Sequence, residues 1–480
     1  MKNILLLLII PFLSFGQGWE QIFGANTTGS GYYGTSAQQV QDGGYIVCGG
    51  THFTQSVLFG MTPSDICIFK TDSNGEEQWS KTFGSEYWDF GKSIQQTTNG
   101  GYVIAGYING FGMGGGNAYL LKVDENGEEQ WSQIFDFGIA ESVQQTTDGG
   151  YIITGYDSSD IYLVKTDENG EQQWSQTFGE SFNDRAMFVQ QTTDGGYVIT
   201  GCTSVINSLG NATTDIYLAK INANGEQQWS QIFGGPGNDK AHCVQQTTDG
   251  GYIITGKTAI PFAGYKIYLI KTDENGDSTW TKTYGSTHDI WGRFVQQTND
   301  GGYILIGSGG GINLIKTNEN GDALWTKTFG KNLYYGNSVQ QTNDEGYILT
   351  GTTNSTTNSF GNGSIDVFLI KTNENGDSLW TKTYGGINQD KGSSVQQTND
   401  GGYIITGSTS SFGNESNNVY LIKTNSEGSI TSTFNIPTPS SNRKLKKVVD
   451  ILGRKTKSKI NTPIIEIFND GSVVKKVIIE

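Results

Sequence analysis

The string SVQQTTDGGYIITG over 142–155 returns along this chain in close copies, and a tryptophan returns with it. Eight tryptophans fall in register, Trp19, Trp79, Trp131, Trp174, Trp229, Trp280, Trp325 and Trp380, at intervals of 43 to 60 residues. A period near 50 residues is that of a propeller blade, a unit that buries its faces only against its neighbours. Each copy holds the same pieces: a strand such as SVQQT, a turn DGG, a strand YIITG, a variable loop, a strand IYLVKTD, a turn ENGE and a strand QQWSQTFG. The expectation is an all-β, eight-bladed β-propeller of four-stranded antiparallel blades over 17–434. The chain opens on a Trp strand at Trp19 and the eighth unit ends without one. The first strand should therefore complete the last blade and leave the ring no open edge.

Composition agrees with this pattern. Sixty-eight Gly, 23 Tyr, 23 Phe and only seven Pro suit strands joined by tight turns. No segment after residue 15 sustains a 3.6-residue apolar period, which excludes long helices. In YIITG and IYLVK nearly every residue is apolar or β-branched, as expected of middle strands covered on both faces. The register tryptophans should fill the space between blades, each burying on the order of 200 Å². In the first turn the last glycine never varies (Gly44, Gly101, Gly150, Gly196, Gly251, Gly302, Gly346, Gly402), whereas Glu345 precedes it in one copy. A type I turn closed by a glycine bulge fits, with positive φ required at that last position. Gly75, Gly127, Gly170, Gly225, Gly276, Gly321, Gly376 and Gly428 end the second turn for the same steric reason. Gln144 and Gln145 point to opposite faces of their strand, so one of each pair should build a glutamine ladder around the channel.

The ends differ from the body. MKNILLLLIIPFLSFGQ reads as a secretory signal peptide over 1–16, with cleavage before Gln17. No other stretch is long and apolar enough to span a membrane. From residue 442 onward ten basic residues face four acidic ones, so the tail carries +6 and the remaining chain −22 of the net −16. An acidic body argues against nucleic acid, whose phosphates need a basic surface. Cys48, Cys67, Cys202 and Cys243 have no metal or haem spacing. Cys48 and Cys67 lie on strands expected side by side, so a disulfide between them is one reading and burial as small apolar residues the other.

Two resemblances follow from these strings. DSNGEEQW and DENGEQQW are similar to the tryptophan docking motif of the eight-bladed quinoprotein dehydrogenase-like propellers, and the whole unit resembles repeats of secreted Bacteroidetes proteins. That likeness covers about 415 residues and implies fold more than activity. After the linker over 435–443, the segment 444–480 carries VVDILGR and NDGSVVKKVIIE, and it resembles the C-terminal sorting domain of type IX secretion cargo. The resemblance implies a small β unit read by the type IX machinery, with export to the cell surface or medium. This tail is shorter than that family's domain.

Because the two uniform turns share one end of each blade, function is sought at the other end, where the connections vary. Trp88 and Trp291 stand outside the repeat register in blade-joining loops. With Tyr87, Tyr32, Tyr33, Tyr334, Tyr335 and His288 they could form an aromatic platform for sugar rings, or plug gaps between blades. Asp89, Asp184, Asp239, Asp289 and Asp390 recur six or seven residues before the glutamine pair. Such a ring could bind a cation or supply acid and base, but recurrence in five blades favours local capping. The ENGD turns lack a calcium-loop pattern. The lysines ending the third strand (Lys70, Lys165, Lys271, Lys371 and their equivalents) are expected in solvated pairs with turn acids. No haem motif, nucleophile with its base, or unrepeated cation site is visible, and no cofactor is assigned. The preferred reading is a monomeric, non-enzymatic binding module for glycan or another extracellular polymer. The alternatives are a glycoside hydrolase using loop carboxylates, or a purely structural surface protein.

Overall fold

The computed structural model describes residues 18–430, apart from 24–29, 54–63, 111–115, 137, 158, 180–183, 207–209, 211, 286–288, 331–334, 354–364 and 414–416, and in the tail 445–450, 463–468 and 473–477. The expected signal peptide and linker lie outside the described residues. The chain divides into two compact units, Met1–Ile430 and Thr431–Glu480.

In the first unit eight four-stranded antiparallel sheets follow one another in chain order. Blades 1 to 7 occupy 30–83, 88–135, 139–178, 185–233, 240–284, 291–329 and 335–384. Blade 8 takes three strands from 390–424 and its fourth from Trp19–Phe23, which pairs antiparallel with Asn418–Thr424 from Trp19↔Lys423 to Phe23↔Val419. The first strands of successive blades touch one another all round the ring, so they are innermost and line the channel. The Trp strands are outermost. The ring closes as the sequence predicts.

The middle strands are buried over most of their length, and their side chains meet those of the next blade. Ile152 and Leu163 of blade 3, for example, pack with Tyr197 and Ile199 of blade 4. Each such side chain removed from water contributes about 1.5–3 kcal/mol. At the rim a second contact repeats at all eight interfaces. Each register tryptophan lies on the second-turn glycine of the following blade, where a Cβ would collide with the indole: Trp19 on Gly75, Trp79 on Gly127, and so on to Trp380 on Gly428. These glycines also have φ between 68° and 88°, so two constraints coincide there. The indole packs against the tyrosine opening the next blade's second strand, with centroids 5.5 to 5.9 Å apart (Trp19–Tyr45 to Trp380–Tyr403). The tryptophans are only half-buried, except Trp19 at 9% exposure. They fill the space between blades as expected, but at its rim, where the indole covers a turn from the outside.

Two sequence expectations are corrected, and one open alternative is decided. Positive φ falls on the penultimate turn residue (Gly43, Gly149, Gly195, Gly250, Gly301, Gly401, and Glu345 at 64°) rather than on the invariant last glycine, which joins it only at Gly101. The last glycine is kept by crowding: a Cβ on Gly150 would stand 2.1 Å from the Thr166 carbonyl oxygen and 2.6 Å from Lys165 Nζ. The lysine responsible is itself the second correction. Lys70, Lys165, Lys220, Lys271, Lys316, Lys371 and Lys423 are 2–6% exposed, and each ammonium donates to the first-turn aspartate of its own blade at 2.8 to 2.9 Å. They are buried anchors, not solvated pairs. Of the two readings offered for Cys48 and Cys67, burial without a bridge is the one the structure shows. Cys48 faces Ile68 and Cys67 faces Gly49 in the ladder, so the two thiols lie on opposite faces of the sheet and join different apolar clusters.

Both glutamines couple blades, in opposite directions. Oε1 of the first accepts the backbone N–H of the second glutamine in the next blade (Gln144 from Gln191, 2.7 Å). Oε1 of the second accepts from the turn of the preceding blade (Gln191 from Thr147, 2.9 Å). The belt closes where Asn399 donates to Gln39, at 3.3 Å.

The second unit is described as a three-stranded antiparallel sheet of Leu445–Asp450, Pro463–Phe468 and Val473–Val477, in that order.

Blade 2 breaks the lysine rule, since Asn99 stands where the others carry aspartate. Lys122, 1% exposed, donates among the described residues only to the carbonyls of Gly100 and Val123. Burial pushes it down to about 8. An unfolded lysine keeps its proton to about pH 10.4, so the unfolded chain holds more protons from pH 8 to 10 and stability should rise across that window. Asn99→Asp should abolish the rise and, at pH 7, add up to about 1 kcal/mol, read from urea midpoints. Glu345→Gly, which relieves a left-handed non-glycine residue, should add a similar amount, about 1 kcal/mol.

Candidate functional site

At the variable end, the first strand of every blade carries a β-bulge at one position, three residues before the glutamine pair. A bulge drops one residue out of the ladder and re-aims its side chain. The eight residues so placed are all different: Thr35, Lys92, Glu141, Met187, His242, Arg293, Asn337 and Ser393. Sequence reasoning passed over them, although their variation beside the constant glutamines was the signal. Several reach the next blade. Thr35 Oγ1 donates to the Gly91 carbonyl at 2.7 Å, His242 Nδ1 to Gly292 at 2.8 Å, and Asn337 Nδ2 to Gly392 at 2.7 Å. Lys92 bonds Glu141 at 3.3 Å.

The expected platform residues fall in separate places. Trp88 and Trp291 are not loop residues but open the first strands of blades 2 and 6, four blades apart in a ring of eight. Trp88 is half-buried and bridges Ser64 of the preceding blade, beside Tyr87. Trp291 is half-buried with Lys257 Nζ 5.4 Å and Arg293 Cζ 5.5 Å from its ring. Tyr32 is buried in the core between blades 8 and 1, and Tyr33 Oη accepts from Asn417 at 2.6 Å. Tyr335 is 40% exposed. His288 and Tyr334 lie outside the described residues.

Four of the five aspartates, Asp89, Asp184, Asp239 and Asp390, are fully buried and clip backbone together. Asp239 Oδ2 accepts from Gly235 N at 2.7 Å, and its Oδ1 accepts from Ala259 N at 2.9 Å. Asp89 takes Ser85 N and Asn109 N. Asp390 takes Gly386 N at 2.8 Å and Ser411 Oγ at 2.6 Å, and Asp184 takes Ser204 N at 2.8 Å. Asp289 is out of register, exposed, and accepts from Tyr265 N at 2.7 Å.

Behind these clips stands a second set of acids at the start of the preceding blade's third strand. Asp65 with Asp89, Asp215 with Asp239, and Asp366 with Asp390 each crowd one glycine (Gly84, Gly234, Gly385), where a Cβ would come within 2.3 to 2.7 Å of both carboxylates. Burial, then Asp239, pushes Asp215 up to about 6. Burial and Asp89 likewise raise Asp65. At the opposite end, clefts of about 610 and 440 Å³ open between blades 5 and 6 and between blades 6 and 7. Their walls are repeat residues such as Lys271, Trp280 and Tyr303, already engaged in blade docking.

Comparisons bear on the fold. Residues 116–341, from blade 2 into blade 7, match the family model described as outer membrane protein assembly factor BamB. Among solved structures the chain is similar to the Dos1 propeller, at 10% identity and TM-score 0.52, covering 85% of this chain and 95% of that one. Weaker likenesses reach Sqt1 from Chaetomium thermophilum (12% identity, 81% and 96% coverage, TM-score 0.46) and a Bacteroides caccae protein of unknown function (13%, 58% and 93%, TM-score 0.33). No curated protein matches the chain in sequence.

The raised Asp215 carboxyl has a measurable consequence. An unfolded aspartate releases its proton near pH 3.9, so between about 4 and 6 the folded chain holds more protons and stability falls as pH rises. Asp215→Asn keeps a donor toward Asp239 without titrating. Its urea midpoint should exceed that of the parent at pH 7 and converge with it below pH 4.

Proposed function

We propose that this chain is an exported, non-enzymatic binding propeller that recognises a glycan or similar extracellular polymer through its variable end. The observation that carries the reading is a division within each blade. The tryptophan, tyrosine, lysine, aspartate and glutamine of the repeat all bond within or between blades, and side-chain variety gathers on the innermost strands and connections of one end. The description matched over 116–341 is that of an assembly factor rather than an enzyme, which supports a binding role. Export rests on the signal-peptide pattern and on the tail's resemblance to a type IX sorting domain. Hydrolysis by loop carboxylates fits less well, because four of the five recurrent aspartates are buried and hold backbone N–H groups, whereas a glycosidase pair must face a substrate.

Trp88→Ala and Trp291→Ala test this reading on opposite sides of the ring. With far-UV spectra unchanged, the variant on the ligand side should lose roughly 10-fold in affinity for immobilised polysaccharide, about 1.4 kcal/mol. Parent-like retention by both variants across a panel of neutral and acidic glycans would remove the proposal.

A further inference from the structure

The variable end is not electrically uniform. Lys92 and Glu141 neutralise each other between blades 2 and 3, but blades 4 to 6 present Arg185, Lys240, Lys257 and Arg293, none of which enters an ion pair among the described residues. Arg185 and Lys240 open the first strands of blades 4 and 5, Lys257 sits directly opposite Lys240 in the ladder, and Arg293 is the bulge residue of blade 6. All four feel one another or a shared neighbour. Lys257 is held down by burial and then by Lys240 and Arg293. His242 between them is pushed down to about 4 by burial and the same cations, so it stands neutral with Nδ1–H on the Gly292 carbonyl. Like charges gathered this closely in a chain of net charge −16 repel, and an anion relieves the repulsion.

Two buried donors in this cluster lack acceptors. Arg293 Nε and Trp291 Nε1 are both buried, and neither has a hydrogen-bond partner among the described residues. A buried N–H without an acceptor costs free energy that a bound oxygen would recover. Aromatic rings surround the cations: Lys257 Nζ lies 4.0 Å from the Tyr265 centroid, Arg185 Cζ 4.8 Å from that of Tyr156, and Tyr335 borders Arg293. The nearest carboxylate felt by Lys257, Asp289, is held on Tyr265 N. Guanidinium and indole N–H donors match an oxyanion, and the rings offer apolar faces to a sugar.

We propose that Arg185, Lys240, Lys257 and Arg293, with Trp291, form an oxyanion site at the channel mouth that takes the carboxylate or sulfate groups of an acidic polysaccharide. The inference rests on the polymer-binding reading above and narrows it to an anionic class.

The test is calorimetric titration of the full chain with polygalacturonate, dextran sulfate, neutral dextran and polyglutamate at two salt concentrations. Polygalacturonate or dextran sulfate should bind with an affinity that falls as salt rises, and the stronger of the two identifies carboxylate or sulfate as the group. Arg293→Gln should weaken that binding 10-fold or more. Lys257→Gln should do so too and serves if the first variant misfolds, whereas Lys327→Gln, which removes an exposed cation paired with Asp377, should leave it unchanged. Equal losses in Arg293→Gln and Lys327→Gln would mean diffuse charge and overturn the site. Neutral dextran binding as well as the acidic polymers would overturn the anionic class and leave the polymer reading standing. Tighter binding of polyglutamate than of either polysaccharide would replace the glycan with an acidic peptide. No binding of any polymer would overturn both readings.

Discussion

Every interface in this ring is the same handshake: an indole from one blade resting on a glycine of the next. The contact works because each partner lacks something the other supplies. The turn has no Cβ and leaves a flat patch of backbone, and the outermost tryptophan strand has no further strand to cover it. Eight repetitions fix the angle between neighbours at the rim, and the glutamine belt fixes it at the hub. With both ends of each blade pinned, the middle strands can be nearly interchangeable Ile, Val, Leu and Tyr and still pack to one spacing.

The same arithmetic explains how much could be read from the sequence. Period, strand order, blade number and ring closure depend on features that recur, and recurrence is what a single sequence displays best. The lysines were misjudged because a charged residue ending an apolar strand normally reaches water; only the fold shows a glycine beneath each ammonium and, in seven of the eight blades, an aspartate above it. That geometry also explains why the last turn glycine never varies, which the sequence had presented as a question of φ. Between the two readings of Cys48 and Cys67 the sequence could not decide for a register reason, since one residue of offset turns adjacent strands into opposite faces.

The candidate site was read less completely, and for a consistent cause. Trp88 and Trp291 attract notice by breaking the register, yet they belong to blades across the ring from one another. The bulge residues, by contrast, look ordinary in sequence: Thr35, Arg293 and Asn337 share nothing except a position. A site built from unlike residues at equivalent positions leaves no motif. Four of the recurrent aspartates were visible because they recur, and recurrence marks them as joinery.

Ring closure by Trp19–Phe23 joins residues near the two ends of the first unit. Blade 8 is consequently the one blade that no continuous stretch of chain can build. Seven blades can form as local hairpin stacks while the chain emerges, but the eighth waits for its oldest and newest segments to meet. Loss of either Trp19–Phe23 or Asn418–Thr424 would open that seam, so these two distant strands share a single point of failure. The ring is therefore a clasp fastened last, and its integrity reports that the chain through Thr424 has arrived.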